Sequence, residues 1–270
     1  LTQEVINQIA AGEVVERPAS VVKELLDNAI DAKATQIEIK VRDGGMELIE
    51  VSDNGIGIPK KNLSEIFLPH TTSKISKIED LNTLLSMGFR GEALSTITSV
   101  SRVHVTSKYE DEGIGNLVMF NEKGQSDIRS AAKEQGTTVR VENLFYNIPA
   151  RKKYLKAAST EYRKIYELLN RYFIVYPNIS FKLSKDGKEV LSLSALKDCV
   201  GGDICKERVE EMYGKEELVG IKYEGNGMKI KGYSGHPSSH KSKNAKQFIF
   251  VNSRPVTDRG IMRAVYEGYS

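Results

Sequence analysis

Along residues 18–34 the apolar positions Val21, Val22, Leu25, Leu26, Ala29 and Ile30 recur with helical spacing, which predicts a helix starting at Ala19 or Ser20, just after Pro18. Val5, Ile6 and Ile9 predict a shorter helix over 3–9. Residues 35–41 then alternate apolar and polar, Asp43-Gly44-Gly45 makes a turn, and 48–51 returns, so a hairpin is expected. Residues 60–85 have weak periodicity. Strands are expected at 102–107, 117–121, 126–131 and 137–142, separated by Gly113, Gly115, Gly124 and Gly136 as in an antiparallel meander. A long amphipathic helix at 160–176 turns Ile165, Leu168, Leu169, Tyr172 and Phe173 inward. A further hairpin pairs 180–183 with 189–193 around Asp186-Gly187.

The pattern changes near residue 196. Residues 198–203 read as a linker, 204–213 and 259–269 as helices, and 218–223, 228–233 and 247–251 as strands. The expected division is a first domain over 1–195 and a second, incomplete α/β domain over 196–270. No repeat or low-complexity tract interrupts it.

With 270 residues, 40% of them hydrophobic, the chain can bury a sizeable core. A net charge of +3 is too small to imply a nucleic-acid partner by itself, so local clusters must carry that argument. Arg151, Lys152, Lys153 and Lys156 form one such cluster. Lys241, Lys243 and Lys246 lie in a polar stretch that reads more readily as a solvated loop than as a second basic cluster. Cys199 and Cys205 are the only cysteines and give no disulfide framework, which points to a reducing compartment. His236 and His240 are four apart, but Pro237 between them argues against a helix presenting both to zinc. No apolar run reaches membrane-spanning length, and no membrane partner is expected. The chain starts at Leu1 rather than Met, so the natural start is expected to lie upstream.

Candidate chemistry begins on the polar side of the 18–34 helix. Glu24, Asp27, Asn28 and Asp31 stand at i, i+3, i+4 and i+7, on one stripe with no Lys or Arg among them. They form either a solvated acidic face or a seat for a hard cation with a general base. Magnesium takes oxygen ligands and is usually held by one or two protein groups plus substrate phosphates. Asp53-Asn54-Gly55-Ile56-Gly57 follows a strand. It is either a turn or a place where backbone approaches a ligand, with the Asp53 carboxylate free to accept from an exocyclic amine. Residues 70–74 are polar and irregular, as a lid would be. Gly88, Phe89, Arg90, Gly91, Glu92, Ala93 and Leu94 run into a helix. This is a glycine-bounded loop or an anion site of free N–H groups, and it lacks the Gly-Lys-Ser/Thr ending of a P-loop.

Four stretches, KELLDNAIDA, DNGIGI, HTTSK with GFRGEAL, and GTTVRVENLFYNIPAR, occur in one order at consistent spacings. In these the chain resembles the MutL proteins of DNA mismatch repair, within the GHKL ATPase superfamily that also holds gyrase B subunits, heat-shock chaperones and histidine kinases. DNGIGI points to the superfamily only; GFRGEAL combined with NIPAR is specific to MutL. The resemblance implies an α/β (α+β) fold of Bergerat type, a mixed, mostly antiparallel sheet covered by helices, followed by a ribosomal-S5-like domain. It implies ATP and Mg²⁺ as ligands. Glu24 would be the general base and Asn28 would hold Mg²⁺. Asp53 would bind the adenine amine, with Gly57 allowing close approach and Thr138 lining the adenine end. Thr72, Ser73 and Lys74 would belong to the lid, and Gly88 to Leu94, Phe89 included, would wrap the phosphates.

The implied function is slow, Mg²⁺-dependent ATP hydrolysis that acts as a conformational switch in mismatch repair, with weak, salt-sensitive, non-specific DNA binding at Arg151, Lys152, Lys153 and Lys156. Implied partners are DNA, a mismatch-recognition protein and a homo- or heterodimer partner of the same family. The location would be cytoplasmic in a prokaryote and nuclear in a eukaryote. Asp27 stands where relatives usually carry Glu, and Lys33 where glycine is common. The family's phosphate-contacting lysine of the second domain and its C-terminal dimerisation domain are expected beyond residue 270. The alternatives are a nucleotide-gated binding module with negligible hydrolysis, or another GHKL ATPase. A histidine kinase needs a phospho-acceptor histidine on a dimerisation helix, and topoisomerases and chaperones lack GFRGEAL followed by NIPAR.

Overall fold

The computed structural model describes residues 15–68, 93–121, 123–214, 218–236 and 247–268. The helix expected at 3–9, the polar stretch 70–74, residues Gly88 to Glu92, and Lys241, Lys243 and Lys246 lie outside the described residues. The chain groups into two units. One holds Leu1–Leu168 and Ser180–Ser194, the other Leu169–Ile179 and Ala195–Ser270, so the second half of the long helix groups with the C-terminal residues.

The first unit opens with helix α1 (Pro18–Asp31), whose Pro18 occupies the first turn, where a missing N–H costs nothing. Val21, Val22, Leu25, Leu26 and Ala29 are buried. Strands β1 (Gln36–Arg42) and β2 (Leu48–Asp53) form the expected hairpin. After helix α2 (Ala93–Thr98) come β3 (Arg102–Lys108), β4 (Gly115–Asn121), β5 (Gly124–Gln125), β6 (Arg129–Ala131) and β7 (Gly136–Glu142). The short α3 (Pro149–Tyr154) leads into α4 (Ala158–Val175), then β8 (Ser180–Lys185) and β9 (Lys188–Leu193).

These strands make one sheet in the order β5-β4-β3-β7-β2-β1-β8-β9, with β6 also on β4. Every pair is antiparallel except β1 with β8. The expected meander is corrected here: β7 does not continue outward from β6 but returns to lie between β3 and β2. The reason is in the side chains. Thr137, Val139 and Val141 give β7 a buried face fit for the sheet's centre, whereas Arg129–Ala131 buries nothing and stays at the edge.

Alternation sends Ile37, Ile39, Val41, Ile49, Val51, Val103, Val105, Val139, Val141, Phe181 and Leu183 to one face, all buried. The α1 helix packs against β2, and α2 against β3. The opposite face carries a line of ion pairs: Lys40–Glu50 at 3.0 Å, Arg140–Glu50 at 3.2 Å and Arg140–Glu142 at 2.6 Å. Part-exposed pairs like these add little stability. They do fix the register, because a one-residue slip would drive them into the core.

In the second unit α5 (Lys206–Tyr213) buries Arg208 completely; its Nη2 donates to the Pro177 carbonyl at 2.9 Å and its Nη1 lies 3.5 Å from Glu211. Strands β10 (Leu218–Gly225) and β11 (Met228–Gly235) form a hairpin. Strand β12 (Ile249–Val251) pairs with β13 (Arg254–Val256), ahead of α6 (Arg259–Gly268). The sequence pattern misses β13 because Pro255 reads as a breaker; in a two-stranded ribbon it needs no donor on its outer edge. Cys199 and Cys205 are joined to each other, which corrects the expectation of unlinked thiols. Backbone bonds from Cys199 to Leu196 and from Asp203 to Val200 fold this stretch back on itself. The two are separated by 6 positions in sequence, so the link ties together no distant parts of the chain.

Helix α1 ends in a Schellman motif. The Ala34 N–H donates to Ala29 and the Lys33 N–H to Ile30. Lys33 sits there at φ 62°, the left-handed region where a Cβ is penalised. Lys33→Gly should therefore raise the unfolding free energy by about 1 kcal/mol, read from urea melts; a loss of stability would mean the lysine side chain makes a compensating contact.

Candidate functional site

Glu24 and Asn28 project from α1 one turn apart, and both are partly exposed. Asp27, between them in the stripe, is instead buried at 3% exposure. It is held by Lys23, whose Nζ lies 2.8 Å from Asp27 Oδ2 and 3.1 Å from Glu24 Oε1. The picture of an unpaired acidic stripe is thus corrected. Lys23 escapes the sequence pattern because it lies one position outside the i, i+3, i+4, i+7 series, yet its long stem swings across to reach both carboxylates. Burial pulls the Lys23 ammonium down, but the Asp27 and Glu24 carboxylates outweigh it and hold its pKa above the ordinary lysine value. The partly exposed groups on this face, the Glu24 and Asp31 carboxylates and the Asn28 carboxamide, carry hard oxygens that suit Mg²⁺ rather than a soft metal. Among the described residues the one compact His/Cys/Asp/Glu cluster is Cys199, Cys205 and Glu207, in the second unit.

Asp53 ends β2. Its Oδ1 accepts from the Gly55 N–H at 2.8 Å and the Thr137 N–H at 3.3 Å. Burial raises its pKa, while those two N–H bonds and the charge of Lys133 oppose the rise. Gly136, at φ 115°, lets β7 come this close: a Cβ there would lie 2.0 Å from the Asp53 carbonyl oxygen. Gly57 has φ 77°, and a Cβ on it would meet the Lys108 carbonyl oxygen at 2.1 Å. Its bareness is therefore demanded by the protein's own backbone, whatever it also offers a ligand. The buried Ser107 hydroxyl gathers the loop together, accepting from the Ile58 N–H at 2.8 Å and lying 2.9 Å from the Thr137 hydroxyl.

Thr138 stands apart from this group. It pairs with Ser52 across β7 and β2, and the two hydroxyls bond at 2.8 Å. Alternation puts them on the sheet face of Arg140 and Glu50, while Asp53, Thr137 and Ser107 share the helix-covered face. The assignment of Thr138 to the Asp53 end is corrected: Thr137, its neighbour, is the residue beside the carboxylate. The signal lies in the parity of the two strands, and reading it requires their register.

Of the remaining candidates, Leu94 lies in α2 and is half-buried, and Ala93 begins that helix. Thr72, Ser73, Lys74, Gly88, Phe89, Arg90, Gly91 and Glu92 lie outside the described residues. Arg151, Lys152 and Lys153 fall on α3, and Lys156 just beyond it. A cavity of about 240 Å³ there is lined by Arg17, Arg151, Tyr154, Lys156 and Glu161, among others.

A family model described as "Histidine kinase-, DNA gyrase B-, and HSP90-like ATPase" matches residues 16–143, and one described as "DNA mismatch repair protein, C-terminal domain" matches 209–270. The DNA mismatch repair protein MutL of Chlorobium chlorochromatii is 38% identical over the whole chain, which covers 41% of that protein. The MutL of Clostridium botulinum is 40% identical, again over the whole chain and 40% of its own length. The chain therefore spans about two fifths of the length of these relatives. Among solved structures, the Aquifex aeolicus MutL ATPase domain complexed with ADP is similar at a TM-score of 0.75 and 29% identity, over 94% of this chain and 88% of that one. An N-terminal domain of a DNA repair protein gives a TM-score of 0.80 at 28% identity, over 99% and 83%. The mixed, mostly antiparallel sheet covered by helices is the fold of these ATPase domains.

The raised Asp53 pKa fixes a sign. Below the ordinary aspartate value of 3.8 the carboxyl is neutral folded or unfolded; above it, ionisation is harder in the folded state, so Asp53 costs stability as pH rises through its folded pKa. Asp53→Asn keeps an oxygen for the two N–H donors and should raise the denaturation midpoint at neutral pH, with the gain vanishing below pH 3.8. A variant less stable than the parent at neutral pH would show that the charge itself holds this junction.

Proposed function

Because the chain belongs to the MutL family of DNA mismatch repair proteins, we propose that it binds ATP between helix α1 and the Asp53 loop, hydrolyses it slowly, and uses the nucleotide state as a switch in mismatch repair. One observation carries this reading: a half-buried carboxylate at a strand end, fixed through Oδ1 by two backbone N–H groups. Such an anchored acceptor suits the adenine amine, which would donate to Oδ2. Thr137, on the same sheet face, would accompany it.

Glu24 and Asn28 would serve the triphosphate end. A water between Glu24 and the γ-phosphate would give its proton to the carboxylate as its oxygen attacks phosphorus, the bond from phosphorus to the β–γ bridging oxygen breaks, and ADP leaves. Asn28 would offer its side-chain oxygen to Mg²⁺, which when bound supplies charge neutralisation to the phosphate oxygens. Lys23 would keep Glu24 on the solvent side of α1 and hold Asp27 out of the metal's reach. Thr72, Ser73, Lys74 and the run from Gly88 to Leu94 would enclose the phosphates. The unit formed by Leu169–Ile179 and Ala195–Ser270 would relay the nucleotide state. Arg151, Lys152, Lys153 and Lys156 would contact DNA phosphates without reading sequence. A second family member and a mismatch-recognition protein would be its protein partners.

Glu24→Ala should leave Mg·ATP affinity nearly unchanged and lower turnover by about 10²- to 10⁴-fold, measured as filter binding against single-turnover hydrolysis. A parallel fall in both would make Glu24 a binding residue. On duplex DNA, Lys152→Ala with Lys153→Ala should flatten the slope of log affinity against log salt by about 0.9 for each DNA phosphate that is no longer neutralised. An unaltered slope would move the DNA surface away from α3.

A further inference from the structure

Tyr154, the last residue of α3, is 84% exposed, more than any other large hydrophobic side chain among the described residues; the next, Val200, reaches 70%. A ring left that far in water contributes almost nothing to folding. It also stands among cations: Lys152 and Lys153 precede it, and it lines the 240 Å³ cavity together with Arg17, Arg151 and Lys156. Two carboxylates, Glu16 and Glu161, face the same cavity, so cations outnumber anions there. Glu161 Oε1 accepts the Lys156 N–H at 3.1 Å, and its Oε2 lies 3.9 Å from Arg17 Nη1 without a hydrogen bond among the described residues, so Arg17 partly offsets this carboxylate.

Resting on the reading of α3 as a DNA contact, we propose that this surface takes unpaired DNA: a nucleobase stacks on the exposed Tyr154 ring, and its phosphate sits over the cavity on Arg151, Arg17 and Lys156. Lysines alone would hold duplex and single strands through phosphate charge. An exposed ring beside them adds a platform that only an unstacked base can use, and such stacking tolerates any sequence because every base has a π face. The cavity is large enough for a phosphate group. Arg17, Arg151 and Lys156, all lining it, supply positive charge for that group.

The test is fluorescence anisotropy with the protein as it stands, using a labelled oligothymidylate and a duplex of equal length. Tyr154→Ala should weaken single-strand binding by about 5- to 100-fold and leave the duplex unchanged, while Tyr154→Phe should bind both as the parent does. Lys152→Ala with Lys153→Ala should weaken both and flatten both salt slopes. If Tyr154→Ala leaves the single strand unaffected, or weakens both DNAs alike, the stacking role is overturned, and in the first case Tyr154 is free for a protein partner. If the lysine variant also binds both DNAs normally, the reading of α3 as a DNA surface fails with it.

Discussion

The junction between the end of β2 and the start of β7 is the constraint on which the first unit depends. Half-buried, the Asp53 carboxylate needs backbone N–H groups to reach it, and Thr137 reaches it because Gly136 has no Cβ to strike the Asp53 carbonyl. Ser107 closes the third side by binding the loop at Ile58 and the hydroxyl of Thr137. Three strands and one loop therefore converge on a single carboxylate. Those contacts join the start of β7 to the ends of β2 and β3, between which it lies in the sheet.

Helix α1 meets the same kind of demand differently. Its buried face needs Asp27 or a substitute of similar volume near the core, and a buried carboxylate without a partner is costly. Lys23 supplies the partner and touches Glu24 as well, so two acidic groups of the stripe are fixed by one flexible cation. Glu24, Asn28 and Asp31 stay partly exposed above the buried Val21, Leu25 and Ala29 of the same helix.

Glu161 does for the basic segment what Asp53 does for the loop. Buried in the first turn of α4, it binds the Lys156 N–H and faces Arg17, which joins the start of α1 to the end of α3. The cations of α3 thus hang from a fixed frame while Tyr154 and the lysines project into water. The Lys23 ion pairs belong to the second turn of α1, and the Arg17 contact to Glu161 lies at its N-cap.

Periodicity alone determined α1, the β1–β2 hairpin, the β8–β9 hairpin and the amphipathic α4, because each has a local pattern strong enough to fix its own class. The special backbone at Gly57 was equally plain, since close approach to neighbouring backbone demands a glycine there. Tertiary structure alone decided the rest. No local rule says that β7 passes its neighbours to reach the centre, that Thr137 rather than Thr138 faces Asp53, or that Lys23 crosses to Asp27. Nor could the spacing of Cys199 and Cys205 reveal that they pair, or the sequence around Pro255 reveal a strand. Each of these depends on which distant segment lies alongside, and a strand's side chains acquire an inside and an outside only once its partner and register are set.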